Sequence, residues 1–193
     1  MIKVRVPAST ANLGSGFDCM GIALKLYNTA EFEETDGGLE INILDETKKN
    51  LPTDENNYIY RAMKRVFDRA GIYPKGIRIS IKNDIPITRG LGSSSACLAL
   101  GLVGANEMIG KPFTRDELLN IACSIEGHPD NVTPTFAGGL TVAVNDGGKI
   151  HYTKTEVDSK IKFAAMIPNF HLATKKARSI LPRKVFHRSA VYN

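Results

Sequence analysis

Apolar and polar residues alternate along several short segments of the 193-residue chain, a period of two that is typical of half-buried β-strands. Residues 3–6 predict a strand that ends at Pro7, and residues 22–33 predict one long or two short strands. The turn signal at residues 36–38 (Asp-Gly-Gly) predicts that residues 39–44 return as the hairpin partner of the preceding strand. Later strands are predicted for residues 76–82, 138–144 and 163–167.

A period of three to four residues predicts helices in the middle of the chain. The first spans Tyr58–Ala70, begins at an asparagine cap, Asn56 or Asn57, and ends at Gly71. Because apolar residues recur on one side of this helix, that side is predicted to face the core. The residues of this face are Ile59, Met63, Val66 and Ala70.

Two further helices follow. The second is apolar almost all round, ends near Met108, and contains Gly101 and Gly104, which permit close packing against neighbouring elements. The third begins at a capping box, residues 114–117 (Thr-Arg-Asp-Glu), and ends near Ile125. Its predicted buried stripe consists of Leu118, Ile121, Ala122 and Ile125.

The composition is ordinary for a soluble globular protein, with 42% hydrophobic residues and a mean hydropathy of −0.14. The net charge of +5 suits a small anionic ligand but is weak evidence for nucleic acid. No apolar stretch reaches the length of a membrane span. We therefore expect neither a membrane nor a nucleic-acid partner.

The cysteines bear on the cellular compartment. Cys19, Cys97 and Cys123 are odd in number and lack the spacing of a metal site. Cys97 and Cys123 lie in apolar helical contexts and are predicted to be buried thiols. Because disulfides are rare in reducing compartments, this pattern predicts a cytoplasmic protein.

The strongest candidate chemistry lies in residues 85–96, which we call the glycine–serine segment. Gly90 and Gly92 permit a sharp turn and leave room for a ligand. Three serines then stand at the start of a helix, where unpaired N–H groups and the helix dipole favour an anion, such as a polyphosphate with Mg²⁺. A simple helix cap or connector is the alternative. The spacing matches neither a Walker A loop, a dinucleotide fingerprint nor a nucleophile elbow.

Two other loops place polar side chains among small residues. In the first, Asn12 offers a donor and an acceptor, and Asp18 offers a charge for an ammonium group, although both residues also suit an ordinary turn. In the second, Glu126 is a candidate Mg²⁺ ligand and Asp130 a candidate partner of a substrate cation or hydroxyl. His128 is expected to orient this loop rather than to act as a base.

The candidate residues together favour one reaction class. Thr174 and Arg178 lie one helical turn apart and can face one ligand, although an N-cap and a surface charge are the simpler interpretations. We find no Cys/His metal cluster and no Ser/His/Asp set in the sequence. Phosphoryl transfer depends on positioning and charge neutralisation rather than on a nucleophilic side chain. It is therefore the predicted reaction.

Four segments are similar to the signature loops of the GHMP kinase superfamily, and more closely to those of its homoserine kinase family. Residues 86–95 (Pro-Ile-Thr-Arg-Gly-Leu-Gly-Ser-Ser-Ser) resemble the family's phosphate loop, with Ser95 in place of the commoner alanine. Residues 11–18 resemble its substrate loop, and residues 126–132 and 174–182 resemble two later signature segments. The chain resembles the amino-terminal two thirds of the family's usual length.

This resemblance implies ATP-dependent phosphorylation of the L-homoserine hydroxyl with Mg²⁺, a step toward threonine. The implied metal ligands are Ser94 and Glu126, and Asn57 is placed near the adenine. The implied homoserine contacts are Asn12, Asp18, Asp130, Thr174 and Arg178. The remaining implied ATP contacts are Pro86, Ile87, Thr88, Arg89, Gly90, Leu91, Gly92, Ser93, Ser94, Ser95 and Ala96.

The resemblance also bears on proton transfer. Other members of the superfamily place a basic aspartate close to the position of Asn131, and an asparagine cannot take up a proton. The implied catalytic residues are therefore Asn131 and Arg178, without a dedicated base, and the hydroxyl proton passes to the γ-phosphate itself.

The implied fold is α+β. Residues 1–161 are expected to form an amino-terminal ATP-binding domain like ribosomal protein S5 domain 2, with a left-handed βαβ unit, whereas the general rule for crossovers predicts the right-handed form. Residues 162–193 are expected to begin a truncated ferredoxin-like domain. The residues after Pro182 predict a helix barely begun, so we expect a fragment of a longer chain, and a homodimer is an open alternative.

Three other functions are open at the level of sequence. Another kinase of the superfamily, acting on mevalonate or a sugar, is the first, although the Asn12/Asp18 and Thr174/Arg178 pairs favour an amino acid. A nucleotide-binding module without turnover is the second. A serine hydrolase that uses Ser94 is the third, and it lacks an evident histidine partner.

Overall fold

The computed structural model describes residues 1–45, 51–164, 179–182 and 184–192. The strands in these ranges are β1 (Ile2–Ala11), β2 (Met20–Thr35), β3 (Gly38–Ile43), β4 (Gly76–Asn83), β5 (Leu140–Asp146) and β6 (Lys149–Thr155). The helices are α1 (Tyr58–Ala70), α2 (Ser93–Met108), α3 (Arg115–Glu126), α4 (Val132–Ala137) and α5 (His187–Tyr192). The mixture of strands and helices confirms the α+β prediction.

The strands form one six-stranded sheet in the order β3-β4-β2-β5-β6, and β1 pairs with β2. The long strand β2 is the centre of the sheet, because it pairs with β1, β4 and β5. Among the strands that the structure describes, only β3 and β4 pair in parallel, and α1 connects them. The unit β3-α1-β4 is therefore a βαβ unit, and its left-handed sense stays a prediction.

The predicted hairpin of residues 39–44 with the preceding strand is wrong. The turn forms, but β3 pairs with β4, which lies between β2 and β3. The turn between β2 and β3 passes over the start of β4. It lies so close to Gly76 that a Cβ on this residue would be 2.3 Å from the carbonyl carbon of Gly37. A turn signal identifies a reversal of the chain but not the strand that becomes the neighbour.

The predicted end of the first strand at Pro7 is also wrong, because β1 continues to Ala11. Pro7 pairs with Tyr27 and Ala8 with Leu24, so β2 has two additional residues at this point. A proline cannot donate to a ladder, and such a position is tolerated at an irregularity of the pairing. The extension matters because it carries Ser9 into the centre of the fold, where this residue is fully buried.

Helix α2 lies in the centre of the core and contacts α1, α3, α4, β1 and β2. The predicted close approaches are confirmed: Gly101 packs against the Ile59 carbonyl of α1, and Gly104 packs against the Phe32 ring of β2. The largest fully buried side chains include Phe32, Met63, Ile79 and Leu98. This packing fixes the amino-terminal end of α2, where the glycine–serine segment joins it.

The capping residues in the sequence predicted the ends of α1 and the start of α3 correctly. Asn57 caps α1 through a hydrogen bond from the Ile59 N–H to its side chain, and Gly71 ends the helix. Thr114 and Glu117 form the predicted capping box of α3. The buried face of α1 contains Ile59, Met63 and Val66 as predicted, together with Ala62 and Phe67, whereas Ala70 is only half-buried.

Two elements escaped prediction. Helix α4 has six residues and includes Pro134, so it is too short for a helical period. In β6 only Ile150 is buried, so its sequence lacks the alternation of a half-buried strand. Of the strand predicted at residues 163–167, residues 163 and 164 belong to no strand and the rest lie outside the described residues. No helix among the described residues is long and apolar enough to cross a membrane.

We expect Gly101→Ala to destabilise the protein by about 1–3 kcal/mol, although alanine is the better helix former. The new Cβ would lie 2.2 Å from the Ile59 carbonyl oxygen and would push α1 away from α2. Urea unfolding measures the change. Gly37→Ala is the control, because a Cβ there meets no atom within 4 Å, and we expect a change within about 0.5 kcal/mol. Equal effects of both substitutions would contradict this packing argument.

Candidate active site

The three candidate loops surround one cleft of about 1060 Å³. The end of β1, the start of α1, most of the glycine–serine segment and the loop between α3 and α4 line it. Asn12 and Asp130 are 118 positions apart in the sequence and are hydrogen-bonded in the cleft. The fold therefore brings the sequence-distant loops together.

The glycine–serine segment forms one wall of the cleft. Thr88, Gly90 and Gly92 have positive φ angles of 57°, 69° and 66°, so the backbone turns sharply here. Gly92 directly precedes α2 and provides no side-chain cap. The N–H groups of the first turn of α2, at the positive end of the helix dipole, can therefore serve an anion. This wall is suited to a phosphate group.

Ser94 and Glu126, the predicted metal ligands, lie together. Ser94 Oγ donates a hydrogen bond to Glu126 Oε2 at 3.2 Å, and the Tyr58 hydroxyl donates to the same oxygen at 3.4 Å. Burial is the main cause of the raised pKa of Tyr58, which keeps the phenol protonated and able to donate. Hydroxyl and carboxylate oxygens are hard ligands of the kind that Mg²⁺ prefers. These residues therefore fit a magnesium ion.

A second group of side chains, which we call the acidic cluster, consists of Asn12, Asp18, His128 and Asp130. Asn12 Nδ2 donates to Asp130 Oδ2 at 3.2 Å, and the Asp18 N–H donates to Asn12 Oδ1 at 2.9 Å. His128 Nδ1 lies 2.5 Å from Asp130 Oδ1, and its role in orienting this loop stays a prediction. One ligand atom each of Asp18, His128 and Asp130 lie within 4.8 Å of one another. The cluster offers concentrated negative charge to an ammonium group.

Asn131 connects the acidic cluster with the glycine–serine segment. Its N–H donates to Asp130 Oδ1 at 2.7 Å. Its Oδ1 lies 3.1 Å from the position that a Cβ on Gly92 would occupy, and Ser9 Oγ lies 2.2 Å from that same position. Only glycine can bring the backbone so close to both side chains. The wall formed by the glycine–serine segment and the acidic cluster are therefore held at a fixed separation.

Residues 57–139 match the family described as "GHMP kinases N terminal domain". The homoserine kinase of Petrotoga mobilis is 51% identical over 193 residues, which are 100% of this chain and 63% of that protein. Over residues 57–139 the chain is therefore similar to the amino-terminal domain of GHMP kinases. It spans slightly less than two thirds of the length of the curated relatives that it matches.

Solved structures show the same similarity. The homoserine kinase from Cytophaga hutchinsonii superposes with a TM-score of 0.78 at 29% identity and covers 98% of this chain and 62% of its own. The Methanococcus jannaschii mevalonate kinase superposes with a TM-score of 0.64 at 21% identity over 81% of this chain and 56% of its own. The second likeness shows that the fold is shared.

The predicted nucleotide residues divide into two sets. Residues 87–95 line the cleft, whereas Ala96 is buried in the core and Pro86 flanks the lining. Asn57 also lines the cleft, but its side chain caps α1 and donates to the Pro52 carbonyl at 2.7 Å. The contact of Asn57 with adenine stays a prediction.

Thr174 and Arg178 lie outside the described residues. Sequence reasoning missed Ser9 and Tyr58, whose partners are 122 and 68 positions away along the chain. No spacing signal could have found contacts at that separation. The predicted burial is confirmed for Cys123, whereas Cys97 is half-buried and lines the cleft.

We expect Cys123 to make stability decline at alkaline pH. Burial, followed by the nearby carboxylates of Asp130 and Glu126, raises the pKa of the Cys123 thiol to about 12. An unfolded cysteine ionises near pH 8.5, so between about pH 8.5 and 12 the unfolded state binds fewer protons than the native state. The free energy of unfolding must therefore fall across this range and stay unaffected below it.

Urea unfolding at pH 7.5, 9 and 10.5 measures this contribution. Cys123→Ala should be less stable at pH 7.5 but should lose less stability on going to pH 10.5 than the unsubstituted protein does. Cys19→Ala is the matched control and should keep the original pH dependence. Identical pH dependence in the Cys123 variant would refute the argument.

Proposed function

We propose that this chain is the ATP- and homoserine-binding part of a homoserine kinase, which converts L-homoserine into O-phospho-L-homoserine in threonine biosynthesis. The observation that carries the proposal is one cleft that joins a helix terminus suited to an anion to the acidic cluster, of which Asn12, His128 and Asp130 line the cleft. Such a cleft can hold a polyphosphate and an amino acid side by side. The similarity to homoserine kinases of about half-identical sequence supports this choice of substrate.

At the nucleotide side, residues 87–95 would wrap the phosphates of ATP with backbone N–H groups. Ser94 and Glu126 would hold Mg²⁺, which neutralises charge on the phosphates when it is bound. Tyr58 would keep the Glu126 carboxylate in position through its hydrogen bond. The protein thus contributes alignment and electrostatic stabilisation, the two requirements of phosphoryl transfer.

At the acceptor side, Asp18 and Asp130 would bind the ammonium group of homoserine, and Asn12 would contact its polar end. Asp130 suits this role because it is fully buried and already oriented by Asn12 and His128. Charged hydrogen bonds in such an environment are about twice as strong as neutral ones. Thr174 and Arg178 would bind the carboxylate end, as the resemblance in the sequence implies.

The reaction would require no protein base. The homoserine hydroxyl oxygen forms a bond to the γ-phosphorus, the bond between that phosphorus and the β,γ-bridging oxygen breaks, and the hydroxyl proton passes to a γ-phosphoryl oxygen. Asn131 lies in the cleft and cannot accept this proton as a base. The three cysteines are thiols rather than disulfides, which supports a cytoplasmic enzyme.

The decisive experiment is a coupled assay of ADP release by the full-length gene product. Homoserine, mevalonate and galactose are offered separately with Mg²⁺-ATP. We expect ADP release with homoserine alone. Release with another acceptor would identify a different kinase of the family, and ATP binding without release would indicate a nucleotide-binding module.

We expect Asp18→Asn to raise the KM for homoserine by about 10- to 100-fold, because the ammonium group loses a charged partner. The Kd for ATP, measured by calorimetry, should stay unchanged within about twofold. Asp146→Asn is the matched control, since this carboxylate is exposed at the end of β5. Equal losses for both ligands would exclude a specific role of Asp18 at the acceptor side.

A further inference from the structure

We propose that Ser9 is a positioning residue that fixes the side-chain amide of Asn131, so that its NH₂ group points into the cleft toward the transferred phosphoryl group. The proposal rests on the kinase function proposed above. It assigns a role in phosphoryl transfer to a buried serine of β1.

The contacts of Ser9 define the orientation of Asn131. Ser9 Oγ lies 3.1 Å from Asn131 Oδ1 and 3.0 Å from the Asn131 carbonyl oxygen, within donating distance of both. Thr135 Oγ1 donates to that carbonyl at 2.9 Å and lies 3.3 Å from Ser9 Oγ. With Oδ1 of Asn131 bonded to the Ser9 hydroxyl, its Nδ2 is left for a ligand.

Ser9 itself is held by the opposite wall of the cleft. Its N–H donates to the Leu91 carbonyl at 3.2 Å, and its side chain is fully buried. Gly92 permits this approach, because any Cβ would lie 2.2 Å from Ser9 Oγ. The hydroxyl is therefore aligned by the same backbone that would hold the phosphates, which couples the position of Asn131 to the nucleotide.

This orientation decides what Asn131 can do. An NH₂ group that faces the cleft can donate a hydrogen bond to a negatively charged phosphoryl oxygen, where negative charge is concentrated during transfer. The opposite orientation would present Oδ1, which can only accept a hydrogen bond from the acceptor hydroxyl. Through this contact with Ser9, Asn131 would stabilise the negative charge on the phosphoryl oxygens. It would not orient the acceptor hydroxyl.

The kinetic test uses Ser9→Ala in the full-length protein. We expect kcat with homoserine to fall about tenfold, while the KM for ATP changes less than about threefold. In an Asn131→Ala background, Ser9→Ala should cause little further loss, because its partner is gone. An equal further loss in that background would show that Ser9 acts independently of Asn131 and would overturn the proposal.

A matched pair of threonines in α4 controls for disturbed packing. Thr135→Val removes a hydroxyl that contacts Ser9 and Asn131, whereas Thr133→Val removes an equally buried hydroxyl without a hydrogen-bond partner among the described atoms. We expect a severalfold loss of kcat for Thr135→Val and a change within about twofold for Thr133→Val. Equal effects of both would assign the loss to packing alone and would contradict the proposal.

A measurement that needs no turnover separates this proposal from the proposed function. Hydrogen exchange of the Asn131 side-chain NH₂ is followed by NMR, with the signal assigned by its absence in Asn131→Asp. We expect rapid exchange with water in the free protein and slower exchange when Mg²⁺-ATP is bound. Protection in the free protein would place the NH₂ group against Ser9 and would overturn the orientation, even if homoserine is phosphorylated. If homoserine is not phosphorylated, the exchange experiment still tests the orientation.

Discussion

The cleft depends on one close approach, that of the Gly92 backbone to the Ser9 side chain. A hydrogen bond from Ser9 to Leu91 fixes this approach, and the space where a Cβ would lie at Gly92 is filled by Ser9 and Asn131. Because interiors are densely packed, this contact leaves little freedom for the three segments that meet there. The amino-terminal end of α2 and the acidic cluster thus belong to one packed arrangement, as the alignment of two substrates would require.

The two carboxylates of the cleft, Asp130 and Glu126, differ in their burial and in their hydrogen-bond donors. Asp130 is buried and receives hydrogen bonds from Asn12 and Asn131, so its charge is compensated by oriented donors. Glu126 receives hydroxyl donors from Ser94 and Tyr58 and is closer to solvent. In the proposed function, these two carboxylates would serve different cations, an organic ammonium group at Asp130 and a metal ion at Glu126.

Features that depend on neighbouring residues, such as helix caps, could be predicted from the sequence. Features that depend on contacts between distant residues, such as the pairing of strands, could not. The cap at Asn57 and the capping box at Thr114 were predictable, because a cap is complete within four residues. The pairing of β3 was not, because its partner lies beyond α1. The loops of the candidate site were found through their residue types and their resemblance to a family, whereas the contacts of Ser9 and Tyr58 required the fold.

The parallel pairing of β3 with β4 has a consequence for the order in which the chain becomes structured during synthesis. When β2 and β3 leave the ribosome, the strand that separates them has not yet been made, because Gly38 pairs with Gly76. At a synthesis rate of about 5–20 residues per second, β4 is completed several seconds after β3. Throughout that delay the edges of both strands present unpaired N–H and C=O groups, which invites pairing with other chains. Until residue 83 has emerged, these edges are therefore open to pairing with neighbouring nascent chains.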